Sequence, residues 1–111
     1  MSDILARLET LILARRAALA ADPSLAERSY AARQLARGRH KLAQKLGEEA
    51  IETVVAAVAE EDAALAGEAA DLLFHLLLVL AGRGVPLAAV LAELERREGM
   101  SGIDEKRGRR T

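Results

Sequence analysis

Five carboxylates in two short clusters, Glu48, Glu49 and Glu52, then Glu68 and Asp71, stand inside strongly apolar stretches of this 111-residue chain. On a helix, residues three or four apart share a face, so Lys41, Lys45, Glu48 and Glu52 line one side with Glu49 on its flank. Glu68 and Asp71 share a side of the next helix by the same spacing. A hairpin of the two helices draws these acids together. Like charges at close range raise one another's pKa unless a cation neutralises them, so the pattern asks for a bound metal ion. Oxygen-only ligands suit a hard divalent ion, magnesium or manganese rather than zinc. A single acid pair at helical spacing is ordinarily a solvated face. These differ in their company: Ala50, Ile51, Val54 and Val55 surround the first cluster, and Ala69, Ala70, Leu72 and Leu73 the second. Glu60, Glu61 and Asp62 read instead as an exposed turn with no chemical role.

Around the acids, His75 follows Asp71 by four residues and Glu68 by seven, on their face. A histidine at the edge of a buried helix is more often a hydrogen-bonded core residue than a ligand. Ser29 and Tyr30 read as a helix cap and an apolar staple, and His40 as decoration of a helix start. Gly47 sits in a helix interior at a cost of about 1 kcal/mol relative to Ala, which close packing against a neighbouring helix would explain.

The elements that must position these residues are all helical. Ser2 and Asp3 are placed to cap a first helix with the stripe Ile4, Leu5, Leu8, Leu11, Ile12, stopped by Asp22 and Pro23. A short helix spans 29–36 and ends at Gly38 in the C′ position. A third, 40–59, carries the first acid cluster opposite Leu42, Leu46, Ala50 and Val54. A fourth, 63–81, is ended by Gly82 and Gly84. Pro86 opens a fifth that runs to Arg97, with Leu87, Val90, Leu91 and Leu94 facing inward. No two-residue alternation persists, so no strand is expected. The fold class is therefore all-α, a bundle of four to five helices with the metal site on a helical hairpin. Residues 1–98 form one domain, and 99–111 a polar tail whose Lys106, Arg107, Arg109 and Arg110 are solvated.

Composition narrows the function classes. With 51% hydrophobic residues, a chain of this length buries roughly 65% of its unfolded surface. The absence of cysteine excludes a disulfide framework and a thiolate metal site, and makes a reducing cytoplasmic compartment the expected home. Residues 1–13 mix acids with apolar residues and read as no signal peptide. The longest uncharged run, Leu72 to Gly82, falls short of the about 20 residues that cross a bilayer, so no membrane partner is expected. A net charge of −1 without a basic block in the body gives nucleic acid little to bind. An Ala, Leu and Val core with one tyrosine and one phenylalanine is thin for a monomer, so a homodimer is expected.

The run KLGEEAIETVVAA, followed by GEAADLLFHLLLVLAGRGVPLAAVLAELERR, resembles the phosphoribosyl-ATP pyrophosphatases of histidine biosynthesis. More broadly, Glu48-Glu49-x-x-Glu52 followed by Glu68-x-x-Asp71 is similar to the signature of the all-α, MazG-like nucleotide pyrophosphohydrolases. Residues 28–98 carry the likeness, including Ser29-Tyr30, Gly38, Lys45-x-Gly47-Glu48-Glu49 and Asp71-Leu-Leu-x-His75. The resemblance implies magnesium-dependent hydrolysis of phosphoribosyl-ATP to phosphoribosyl-AMP and pyrophosphate, the second step of L-histidine biosynthesis, in a helical homodimer. It implies Glu48, Glu49, Glu52, Glu68 and Asp71 as metal ligands and Glu68 or Glu49 as the catalytic carboxylate. Lys41 and Lys45 would then meet phosphate oxygens not covered by metal. Ser29, Tyr30 and His75 are the other candidate substrate contacts. Two departures bear on substrate contact: Ala31 stands where the family commonly has threonine, and Arg39-His40-Lys41 where it often has an acid or amide. Two further readings stay open: a house-cleaning nucleoside triphosphate pyrophosphohydrolase, and a non-catalytic helical dimerisation module whose acids only solvate a groove. A di-iron bundle would want Glu-x-x-His pairs on two helices, which the sequence lacks.

Overall fold

A computed structural model describes residues 3–99, which form five α-helices and one 3₁₀ turn, with no strand among the described residues. In chain order these are α1 (Ile4–Ala21), the 3₁₀ turn (Pro23–Glu27), α2 (Tyr30–Ala36), α3 (Arg39–Ala59), α4 (Asp62–Arg83) and α5 (Leu87–Arg97). The expected all-α architecture is the one that forms. Ser2 as a cap and the basic tail residues lie outside the described residues.

Local chemistry explains the breaks. At the end of α1, Asp22 accepts hydrogen bonds from the Ser24 N–H at 3.1 Å and the Ser24 hydroxyl at 2.6 Å. Pro23 then opens the 3₁₀ turn in the position where its missing N–H costs nothing. Ser29 caps α2, its Oγ accepting from the Ala32 N–H at 3.2 Å. Gly38, at φ +90°, follows α2 with a backbone conformation that side chains resist, and its carbonyl accepts the Leu42 N–H of α3. Asp3 does not cap α1 through its side chain, which lies 3.6 Å from Arg7 instead.

The two long helices reverse through Glu60 and Glu61, so α3 and α4 run as an antiparallel hairpin. The core lies where α1, α2 and the distal half of this hairpin meet: Ile12 and Leu78 are fully buried, with Ala31, Leu42, Leu77, Ala81 and Leu87 around them. Burying one such Leu or Ile is worth about 1.5–3 kcal/mol. Gly82 does not end α4. It lies within the helix against Leu42, and a Cβ there would stand 2.7 Å from Leu42 Cδ1, so its small size lets α3 close on α4. Gly84, left-handed at φ +73°, is the residue that terminates α4. Pro86 is the cap of α5 rather than its first turn, and Glu9 of α1 reaches across to accept the Leu87 N–H at 2.6 Å. Gly47 is exposed, with open space where a Cβ would stand, so close packing within the chain does not account for it.

The apolar stripes divide differently from the sequence expectation. On α3 the buried side runs Leu42, Glu49, Thr53, Ala56, so the key acid lies on the core stripe, not opposite it. The reason is that α4 packs against that side, while Ile51, Val54, Val55 and Val58 form a second apolar stripe on the far side that none of the described residues covers. Leu91 and Leu94 of α5, and Ile4 and Leu11 of α1, are likewise exposed rather than inward. By length and composition α4 is long and apolar enough to cross a bilayer, which corrects the expectation from the uncharged run alone. A core helix has the same composition, and α4 packs on α1, α2 and α3 with Glu68, Asp71 and His75 along its middle.

Candidate metal centre

Glu49 projects from the buried stripe of α3, and Glu68 and Asp71, one turn apart on α4, face it across the hairpin. One carboxylate oxygen from each lies within 4.8 Å of the others. Glu49 is buried to 6% exposure, Glu68 is half-buried and Asp71 is open to solvent, so the cluster sits at a mouth rather than in a sealed cavity. With the carboxylates ionised, Glu49 Oε2 and Glu68 Oε2 are buried without any hydrogen-bond partner. At the 4.8 Å limit and an effective dielectric constant of about 20, the Glu49 and Glu68 charges repel by about 3.5 kcal/mol, and more at shorter range, while exposed Asp71 is screened by water. Two orphaned buried oxygens beside a third carboxylate are a donor set that a divalent cation satisfies, and all-oxygen donors match a hard ion.

The surrounding groups tune this set. Lys45 Nζ lies 3.4 Å from Glu49 Oε1 and 3.8 Å from Glu48 Oε1. Burial pushes the Glu49 carboxyl up, but the hydrogen bond with Glu52, the Lys45 ammonium and the nearby His75 ring outweigh it and hold Glu49 below the ordinary carboxylate value. Glu52 is driven the other way: the hydrogen bond to Glu49, and then its negative charge, raise the exposed Glu52 carboxyl above its ordinary value. Lys45 is raised by its hydrogen bond to Glu49, and so is held as an ammonium.

Of the five acids singled out from the sequence, the structure brings Glu49, Glu68 and Asp71 together with Glu52 beside them. Glu48 does not join the cluster. Half-exposed, its carboxylate accepts from Gln44 at 3.1 Å and pairs with Lys45. Lys45 is half-buried against Glu49, whereas Lys41 is exposed and forms no ion pair among the described residues.

His75 is buried, and its Nδ1 lies 2.8 Å from the Asp71 carbonyl, which can only accept, so Nδ1 carries hydrogen. In the neutral ring Nε2 is therefore an acceptor, and the Tyr30 hydroxyl donates to it at 2.9 Å. Tyr30, Phe74 and His75 pack as three mutually contacting rings, with Phe74 and His75 edge-to-face at 5.6 Å. Through these contacts α2 is tied to the α4 turn that presents Asp71. Ser29 sits immediately before Tyr30, its Oγ occupied as the α2 cap.

Sequence reasoning missed Thr53. Its hydroxyl lies 2.9 Å from the Glu49 carbonyl and 3.2 Å from the Glu68 carbonyl, so one O–H clips the two helices together between the acids. A lone hydroxyl four residues after Glu49 in a run of Ala, Val and Ile was the available signal.

Comparison with known proteins places this hairpin in a family. The family model for phosphoribosyl-ATP pyrophosphohydrolase matches residues 15–98. A phosphoribosyl-ATP pyrophosphatase of Rhizorhabdus wittichii is 58% identical over 109 residues, 98% of this chain and 97% of that protein. Proteins of the same description from Erythrobacter litoralis and Dinoroseobacter shibae are 57% identical over 104 residues (94% of each chain) and 55% identical over 107 (96% of this chain and 99% of the relative). The matched segment contains every acid of the cluster, both lysines and the α2 cap, and on these matches the chain belongs to the phosphoribosyl-ATP pyrophosphohydrolase family.

Proposed function

We propose that this chain hydrolyses phosphoribosyl-ATP to phosphoribosyl-AMP and pyrophosphate, the second step of L-histidine biosynthesis, using magnesium or manganese. The observation that carries the reading is the cluster of Glu49, Glu68 and Asp71 with its two orphaned buried oxygens, in a chain whose relatives bear that enzymatic description.

In this reading Glu49, Glu68 and Asp71 would hold the ion and Glu52 would lend a fourth carboxyl at the rim. Bound metal neutralises phosphoryl oxygens and eases ionisation of a coordinated water. Water adds across the anhydride between the α and β phosphates, that P–O bond breaks, and pyrophosphate leaves. Glu68 would hold the ion through one carboxylate oxygen and take the proton of the attacking water on the other, while Glu49 stays paired with Lys45. Glu48 holds Lys45 from its outer side, and Lys45 and exposed Lys41 stand on the approach of the polyphosphate. The Tyr30 and His75 pair fixes the α4 turn that carries Asp71 and, with Ser29, borders the substrate.

The same reading makes the working unit a cytoplasmic homodimer of the 1–98 domain. Its support is the uncovered stripe Ile51, Val54, Val55 and Val58 on α3, with Leu73 and Leu76 of α4 also exposed, which a second copy of the hairpin would bury. Phosphorus NMR of the products tests the chemistry. The expected outcome is pyrophosphate and phosphoribosyl-AMP from phosphoribosyl-ATP, with slower turnover of ordinary nucleoside triphosphates and none in excess chelator. Orthophosphate release, or undiminished activity after metal removal, would overturn it.

A further inference from the structure

A groove of about 510 Å³ lies between α1, the 3₁₀ turn and α4, walled by Leu11, Arg15, Leu25, Arg28, Ser29 and Phe74. Its two arginines are not equivalent. Arg28 is occupied, with Nη2 3.1 Å from Asp22 Oδ2 and Nη1 on Ser24. Arg15 is half-buried and has no hydrogen bond or ion pair among the described residues. A partly desolvated guanidinium without a counter-ion is costly, and its planar fork matches a phosphate with two parallel N–H donors. Leu11, Leu25 and the Phe74 ring offer apolar surface to the faces of a sugar or base. None of the clustered acids lines the groove, which is linked to them only through packed and hydrogen-bonded side chains. Phe74 packs on His75, His75 bonds the Asp71 carbonyl, and Ser29 precedes Tyr30, which bonds His75.

The proposed substrate carries two separate anionic groups: the triphosphate that reacts and the phosphate monoester of the phosphoribosyl group. The triphosphate belongs with the carboxylate cluster and its metal, which leaves the monoester in need of a cation elsewhere. We propose that Arg15 binds the phosphoribosyl monoester in this groove and is the residue by which the protein tells phosphoribosyl-ATP from a plain nucleoside triphosphate. The inference rests on the function proposed above, and its test separates the two.

Wild type, Arg15→Gln and Arg15→Lys are compared on phosphoribosyl-ATP and on ribosyl-ATP, the same nucleotide without the monoester phosphate. Arg15→Gln is expected to raise KM for phosphoribosyl-ATP by about tenfold or more, with kcat held within about twofold, because a ground-state charge-assisted contact is lost. On ribosyl-ATP the variant should match wild type, and Arg15→Lys should fall between them. Circular dichroism and melting temperature confirm that Arg15→Gln folds. Equal effects on both substrates, or none, would overturn the assignment. Independently, titration with ribose 5-phosphate should shift the Arg15 Nε–H resonance, and ribose should not. If wild type fails to turn over phosphoribosyl-ATP, the proposed function falls, and the groove is judged by this titration alone: an unmoved Arg15 resonance overturns it.

Discussion

Glu49 and Glu52 occupy successive turns of α3, yet the fold pulls their protons in opposite directions, and this separates their substitutions. Each Gln variant should lower turnover by about a hundredfold or more, since an amide keeps the shape but not the charge that holds an ion. Their metal-free stabilities should diverge. Glu49 is held below its ordinary value of 4.5, so it stabilises the fold above that pH, and Glu49→Gln should melt lower than wild type at pH 7 and converge with it below 4.5. Glu52 is raised above 4.5, so its ionisation opposes folding as pH rises. Glu52→Gln should therefore melt at or above wild type at pH 7 in chelator and lose that advantage on acidification. Thermal scans across pH decide it; parallel behaviour of the two variants would refute the opposed shifts. Glu61→Gln, in the exposed turn, is the control. The acids were legible from residue type and spacing alone. Which of Glu48 and Glu49 turns inward was not, because the two lie on adjacent flanks and only the packing side of α4 chooses between them. The cross-helix role of Thr53 and the role of Arg15 were illegible for a related reason: the Glu68 carbonyl that Thr53 reaches, and the ligand Arg15 wants, lie outside their own helices.

Two glycines inside helices give the element scale its test. Gly47→Ala, where a Cβ meets open space, should stabilise the chain by about 1 kcal/mol through helix propensity. Gly82→Ala gains the same propensity but drives a Cβ to 2.7 Å from Leu42 Cδ1. Leu42 is buried and has little room to yield, so an overpacking cost of about 1–3 kcal/mol should make the net change destabilising. Pairing Gly82→Ala with Leu42→Val should recover part of the loss, as read by urea unfolding. Helix boundaries were largely readable because their signals are local: Asp22 with Pro23, Ser29, and Gly38 and Gly84 at positive φ. The inward faces were less so. Helix α3 is apolar on two sides, and no periodicity argument says which side meets α4 and which is left outside.

At the scale of the whole molecule, the uncovered stripes decide stability. Ile51, Val54 and Val58 are each more than 60% exposed, while among the described residues the fully buried large side chains are only Ile12 and Leu78. Association through the hairpins should bury them, and the melting temperature should then rise with protein concentration, as linkage requires. Val54→Glu and Val58→Glu, placed on that stripe, should produce monomers by light scattering and lower the melting temperature. Wild-type protein that is monomeric and fully active at micromolar concentration would refute the dimer. The thin Ala, Leu and Val composition raised the expectation of a homodimer but did not indicate which surface would serve it, since α5 and α1 carry comparable apolar stripes.

The hydrogen bond from Tyr30 to His75 has a use beyond holding α4 in place. The chain contains one tyrosine and no tryptophan, so under excitation that phenylalanine does not absorb its emission comes from a single phenol hydrogen-bonded to the ring that grips the Asp71 turn. Native protein is thereby its own optical probe: any ligand that moves Asp71 or reorders that phenol's proton changes the only fluorophore excited, and can be titrated without a label.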